Sequence, residues 1–321
     1  MRAALAATLL SLAAGQAAGD VVFDLPIACT PGQDCFIQHL VDRDPGPGVR
    51  DFTCGQLSYD GHKGTDFALP SLRAMADGVD VRAAAPGRVR ARRDGMADRP
   101  LTEATAAAIA GRDCGNGVVI DHAGGWQSQY CHLRQGSVTV ETGQQVAAGQ
   151  VLGQVGLSGR TQFPHLHFTL RRDGAVIDPF APDMAAECGG AQAPLWRDAP
   201  TAPPGGLIAA GFAAELPDYA AVKAGTAARQ NLPAGTPALV LFAAAYGGRA
   251  GDRLDFVIAG PGGRALLSEQ VTLAKPQAQY FRALGRRAGG PGWPAGRYRG
   301  RVELWRAGAR LDSLETEITL R

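Results

Sequence analysis

The chain has 321 residues, with 32 Lys and Arg against 30 Asp and Glu, six His and six Cys. That length can supply two domains with cores of their own. The formal net charge of +2 includes Arg2 and excludes nucleic-acid binding driven by bulk charge.

Met1-Arg2 gives a short positive start, Ala3 to Ala14 is apolar and uncharged, and small residues continue through Ala17, Ala18 and Gly19. This is the tripartite pattern of a secretory signal, too short to anchor in a bilayer. Residues 1–19 are therefore expected to be a signal peptide, cleaved between Ala17 and Asp20, with no cysteine beside the cut for lipid attachment. No later stretch reaches membrane-spanning length, so stable membrane insertion is not expected. Residues 20–53 form a Cys-, Pro- and Gly-rich segment that Cys29, Cys35 and Cys54 are expected to pin to the adjoining domain.

From 54 to 180 the chain shows short β runs separated by turn residues: Val79–Val81, Gly87–Arg92, Gly117–Ile120, Trp126–Leu133, Gln150–Val155 and His165–Arg171. They predict an antiparallel, mainly β domain. An insertion between Arg93 and Cys114 carries a helical stretch over residues 102–110, closed by Gly111. All six cysteines lie before residue 190, and in an oxidising compartment their default state is disulfide. A Gly-rich hairpin would bring Cys114 and Cys131 together; spacing does not choose among the remaining pairings. Residues 181–205 are rich in Pro and Gly and predict a linker. Beyond them, Ala238–Phe242, Arg253–Ile258, Tyr298–Leu304 and Ser313–Leu320 predict a small β-sandwich over 206–321. That region has no His and no Cys, which points to a packing or docking role rather than metal chemistry.

Chemistry concentrates in three segments. In Pro164-His165-Leu166-His167-Phe168 the two histidines fall on one face of a strand, with Leu166 on the other. Two imidazoles at one height suggest a metal ion. His62-Lys63-Gly64-Thr65-Asp66 offers a histidine and a carboxylate four residues apart, with Gly64 supplying backbone freedom. Tyr130-Cys131-His132-Leu133 places His132 after an alternating strand, from which it can project off the sheet. Either pair alone is weak, but four of the six histidines fall in these segments. Of the others, His122 at a strand end is expected to cap or hydrogen-bond in the core, and His39 to be structural.

These segments, with Gly115-Asn116-Gly117-Val118-Val119-Ile120-Asp121-His122 and Gly156-Leu157-Ser158-Gly159, stand in the order seen in lysostaphin-type (LytM-type) zinc metallopeptidases, which residues 54–180 resemble. The resemblance implies a compact antiparallel sheet with a groove, one Zn2+ per chain, and cleavage of peptide crosslinks in peptidoglycan by a periplasmic or secreted enzyme. It implies that His62, Asp66 and His167 hold zinc and that His132 and His165 are the unligated catalytic pair. Two His and one Asp would leave an open fourth position for water. Strand alternation puts His165 beside the ligand His167. Which of the two catalytic histidines is the base stays open. Some family members lack ligands and only activate other wall enzymes, but this chain keeps all five positions. The alternatives are a non-catalytic wall-binding or amidase-activating module and a secreted protease of Gly-rich proteins. Other members are held latent by a pro-segment ligand, for which His39, Asp42 and Asp44 are candidates here. Arg160 and Gln162 could line the groove or remain ordinary exposed loop residues.

Overall fold

The computed structural model describes residues 21–290 and 292–321; the expected signal peptide lies outside them. No helix among the described residues is long and apolar enough to cross a membrane. The described residues are mainly β, and their strands pair antiparallel except for one short parallel pair.

In chain order the first region contains β1 (Phe36–His39), β2 (Thr65–Ala68), α1 (Leu72–Asp77), β3 (Asp80–Arg82), β4 (Gly87–Arg93), α2 (Glu103–Ala106), β5 (Asn116–Asp121), β6 (Trp126–Leu133), β7 (Gln145–Val146), β8 (Val151–Gln154), β9 (His165–Arg172) and β10 (Ala175–Ile177). Eight of these strands make one sheet, ordered β1-β2-β9-β6-β5-β4-β7, with β10 on β9; β3 and β8 pair separately. Alternation decides what each face does. On β9, Leu166, Phe168 and Leu170 enter the core with Phe67, Tyr130 and Val118, while His165, His167 and Thr169 occupy the opposite face.

The Cys-rich N-terminal segment is largely irregular but supplies β1, the edge strand of the sheet. Its cysteines divide the work differently from the expectation. Cys29 pairs with Cys35 within the segment, six residues apart, and only Cys54 reaches outward, to Cys188. Cys114 pairs with Cys131, joining the start of β5 to β6 as the hairpin suggested.

Residues 181–205 are strapped across the first region. Trp196 is buried in its core, against the rings of Phe168 and Phe180 at 5.6 and 5.9 Å. The Arg43 guanidinium donates to the carbonyls of Ala181 and Asp183, both at 2.6 Å.

The second region contains β11 (Gly206–Ala213), α3 (Tyr219–Ala224), β12 (Asn231–Leu232), β13 (Ala238–Gly248), β14 (Arg253–Ala259), β15 (Ala265–Thr272), β16 (Gln277–Arg287), β17 (Gly296–Arg306) and β18 (Ala309–Leu320). The sheets β11-β13-β16 and β12-β18-β17-β14-β15 enclose a core of Phe212, Leu241, Phe256, Tyr298 and Val302. Tyr246 of β13 instead reaches into the first region and packs on Phe36 of β1, ring centroids 4.5 Å apart.

Candidate metal centre

Register across the sheet assembles the site. Asp66 on β2 stands opposite His167 on β9, so their side chains share a face. His62 enters from the turn before β2 and is 2 % exposed. His62 Nε2, His167 Nδ1 and Asp66 Oδ1 lie 2.8–3.2 Å apart. Around a tetrahedral zinc with bonds of about 2.1 Å, donor atoms lie about 3.4 Å apart.

The Leu40 carbonyl fixes the His62 proton on Nδ1, and a ligand role for His167 Nδ1 puts that ring's proton on Nε2. His62 Nδ1–H donates to the Leu40 carbonyl at 2.7 Å, and His167 Nε2–H donates to Thr169 Oγ1 at 2.9 Å. The two remaining nitrogens therefore turn bare lone pairs toward each other and toward a carboxylate oxygen. Three acceptors converging in a buried space repel unless a cation lies among them. This donor set, with each ligand histidine oriented by an outer partner, fits zinc. Without a metal, a proton takes part of that role. Burial disfavours a charged His62, but the Asp66 carboxylate outweighs it and raises the His62 pKa. Burial would likewise raise Asp66, but the neighbouring histidines hold its carboxyl well below the usual range.

Gly64 is required by close approach rather than by backbone freedom. A Cβ there would sit 2.6 Å from the Phe168 carbonyl oxygen and 2.8 Å from the His167 ring.

His132 and His165 form a second pair beside the first group, ring centroids 4.6 Å apart. His165 Nδ1–H donates to the Phe163 carbonyl at 3.0 Å, and His132 Nδ1–H to the Ser158 carbonyl at 2.7 Å. Each thereby presents Nε2 as a proton acceptor, and His165 Nε2 lies 3.5 Å from Asp66 Oδ1. Burial first, then in the case of His132 the neighbouring histidines, keeps both neutral: His132 is well below the ordinary histidine value and His165 falls to about 4.

Simple alternation does not put His132 there. Tyr130 points into the core, so regular strand geometry would send His132 after it. Instead His132 has φ 64°, in the left-handed region, next to a register shift between Asn116 and Gly117 on β5. That departure turns its ring to the metal face.

Three neighbours carry no signal in the motifs. Tyr59, half exposed, lies over His62 at 4.4 Å between centroids. Phe163 stacks on His165 at 4.5 Å. His39 of β1 reaches Asp66 from the other side, its Nδ1 3.1 Å from Oδ2. The remaining candidates lie elsewhere. Asp42 accepts the backbone N–H groups of Asp44, Arg50 and Gly61, and Asp44 accepts from Gly46. Arg160 pairs with Asp113 on the exposed surface, Gln162 is exposed, and His122 bonds Pro86 and Ser128.

Residues 60–179 match the family model described as Peptidase family M23. Over 121 residues, 37 % of this chain and 22 % of the relative, the sequence is 32 % identical to the DD-carboxypeptidase/endopeptidase Mpg of Neisseria meningitidis serogroup B. It is 36 % identical to the cell division protein DipM of Caulobacter vibrioides over 37 % of this chain and 18 % of that one. It is 34 % identical to the peptidoglycan DD-endopeptidase ShyA of Vibrio cholerae over 36 % and 22 %. The chain thus spans about a fifth of the length of the curated relatives it matches. The region holding the two histidine groups is the part of the chain that is similar to M23 peptidases, the lysostaphin-type relationship that the motifs carry.

Proposed function

We propose that the protein is a zinc metalloendopeptidase that hydrolyses peptide bonds in the stem or crosslink peptides of peptidoglycan, in the periplasm or after secretion. The observation that carries this reading is the convergence of three potential ligand atoms, His62 Nε2, Asp66 Oδ1 and His167 Nδ1, beside two buried imidazoles. The peptidase named as acting on peptidoglycan among the relatives supports the substrate class.

One zinc ion per chain, held by His62, Asp66 and His167, would lower the pKa of water and polarise a scissile carbonyl. The protein's own work is proton handling. His132 and His165 each hold Nδ1–H on a backbone carbonyl, so Nε2 is free to take a proton from the attacking water. A ring that has taken it becomes an N–H donor, able to stabilise the oxyanion or return the proton to the leaving amine. Burial of both rings keeps them in the accepting form at neutral pH. Phe163 fixes the plane of His165 by stacking. The C-terminal domain, residues 206–321, is read as an accessory module that engages a wall or protein partner.

The test combines metal analysis with mass spectrometry of products released from purified sacculi. Wild-type protein should carry one zinc and release peptides cut at an amide bond, while His167→Ala loses both properties. A protein that binds no zinc and leaves sacculi intact would sink the proposal. Cleavage of a Gly-rich protein but not of defined muropeptides would move the substrate class.

A further inference from the structure

The bond between His39 and Asp66 exists because of an irregularity in β1. Phe36 pairs with Ala68 and Ile37 with Phe67, but the next partner of β2, Asp66, is taken by His39 rather than Gln38. Gln38 is the extra residue of a β-bulge. In an unbulged strand, Ile37 and His39 would share a face, and Ile37 is in the core. The bulge reverses the parity and aims His39 at the metal face, in one row with Asp66 and His167.

The bulged residue is clasped by the C-terminal domain. Gln38 is fully buried. Its Nε2 donates to the Ala278 carbonyl at 3.0 Å, and its Oε1 accepts Gln279 Nε2–H at 2.9 Å. Tyr246 packs on Phe36 two residues earlier. A four-residue edge strand is poorly fixed by its single neighbour, and here a second domain fixes it.

We infer that His39 is a positioning residue of the metal centre and that the C-terminal domain, through Gln38, holds it in register. Nδ1–H of His39 binds Asp66 Oδ2, which leaves Oδ1 turned toward His62 and His167. A carboxylate tethered by one oxygen presents the other as a single preoriented ligand atom. His39 acts on Asp66, not on zinc or substrate. The inference rests on the metal site of the proposed function and adds a fifth histidine and a second domain to it.

The experiment uses the full chain and measures zinc affinity by competition with a chromogenic chelator, alongside urea unfolding of the metal-free protein. His39→Ala should keep one zinc per chain but weaken binding about 10–100-fold, the usual cost of losing a partner of a metal ligand. His39→Asn, whose amide can donate the same bond, should recover most of that loss. Gln38→Ala should weaken zinc about 3-fold, a smaller effect because β1 keeps its bonds to β2. The visible spectrum of the Co2+-loaded His39→Ala protein should match that of wild type. Unchanged zinc affinity in His39→Ala would overturn the inference. So would a changed cobalt spectrum, which would make His39 a ligand, or a loss of metal-free stability that His39→Asn does not rescue, which would make its role structural. If wild type itself binds no zinc, the proposed function fails instead.

Discussion

The two domains share one architecture, antiparallel strands around an apolar core, and use their interiors in opposite ways. In the C-terminal sandwich the buried polar side chains among the described residues are Thr236 and Asp252, the latter paired with Arg306, and other charges sit outside in pairs such as Arg299–Glu317. The N-terminal domain buries His62, Asp66, His132, His165, Arg43 and Asp178. Such groups oppose folding unless partnered; the histidines, Asp66 and Arg43 are matched to carbonyls, a carboxylate or a second ring, and Asp178 accepts the Phe180 N–H beside the Arg43 guanidinium. The comparison teaches that strand patterning alone suffices for a scaffold. A reactive site instead needs buried polar groups and the covalent and packing restraints that hold them.

The sharpest way to break this contrast is to remove the two rings proposed to handle protons. His132→Ala and His165→Ala should each lower sacculus hydrolysis about 10²–10⁴-fold while zinc stoichiometry stays at one per chain. Loss of zinc from either variant would show that the ring serves the metal site itself. Next in size is the anchor of the strap. Arg43→Ala leaves Asp178 buried without its 3.8 Å partner and frees the Ala181 and Asp183 carbonyls. It should cost about 3–5 kcal/mol in urea unfolding, and a cost under about 1 kcal/mol would show that the cation is dispensable there.

Asp178 gives a pH signature of similar origin. Burial first, and the nearby Asp51, raise its pKa to about 6 from 3.8, against the hydrogen bond from Phe180 and the charge of Arg43. Between those values the native state holds a proton that the unfolded chain has released. The contribution is complete below about pH 4 and is lost as pH rises through 6, by up to about 3 kcal/mol. Urea midpoints followed from pH 3.5 to 7 should show Asp178→Asn gaining on wild type across this window, and parallel curves would refute the assignment. The smallest effect belongs to the sandwich surface. Arg299→Ala removes an exposed pair with Glu317 and should change stability by less than about 1 kcal/mol; a larger change would erase the distinction between the two interiors.

Where the backbone is regular, the sequence was readable. His165 and His167 share a face because β9 keeps period two, with Leu166 and Phe168 marking the core side. His62 and Asp66 lie four residues apart, within reach of one turn. Where regularity breaks, the reading loses its basis. His132 reaches the site through a left-handed φ, and His39 through a bulge, and neither is encoded in the spacing of apolar residues. Gly64 suggested flexibility locally, but its cause is the ring of His167, a hundred residues away. Composition suggested a linker over 181–205 because Pro and Gly disfavour helix and strand whether or not a segment is packed down; Trp196 is what packs it.

The sequence by itself determined the candidate ligand types, their local spacing, the strand periodicity and the mainly β class, since all of these arise from residues near one another in the chain. The tertiary structure decided which oxygen of Asp66 faces the histidines, which nitrogen of each histidine is bare, and that residue 39 answers residue 66. Those depend on partners such as Leu40, Thr169 and Gln279. Register and hydrogen-bond pairing between distant segments are settled only when the sheet closes and the second domain packs against its edge.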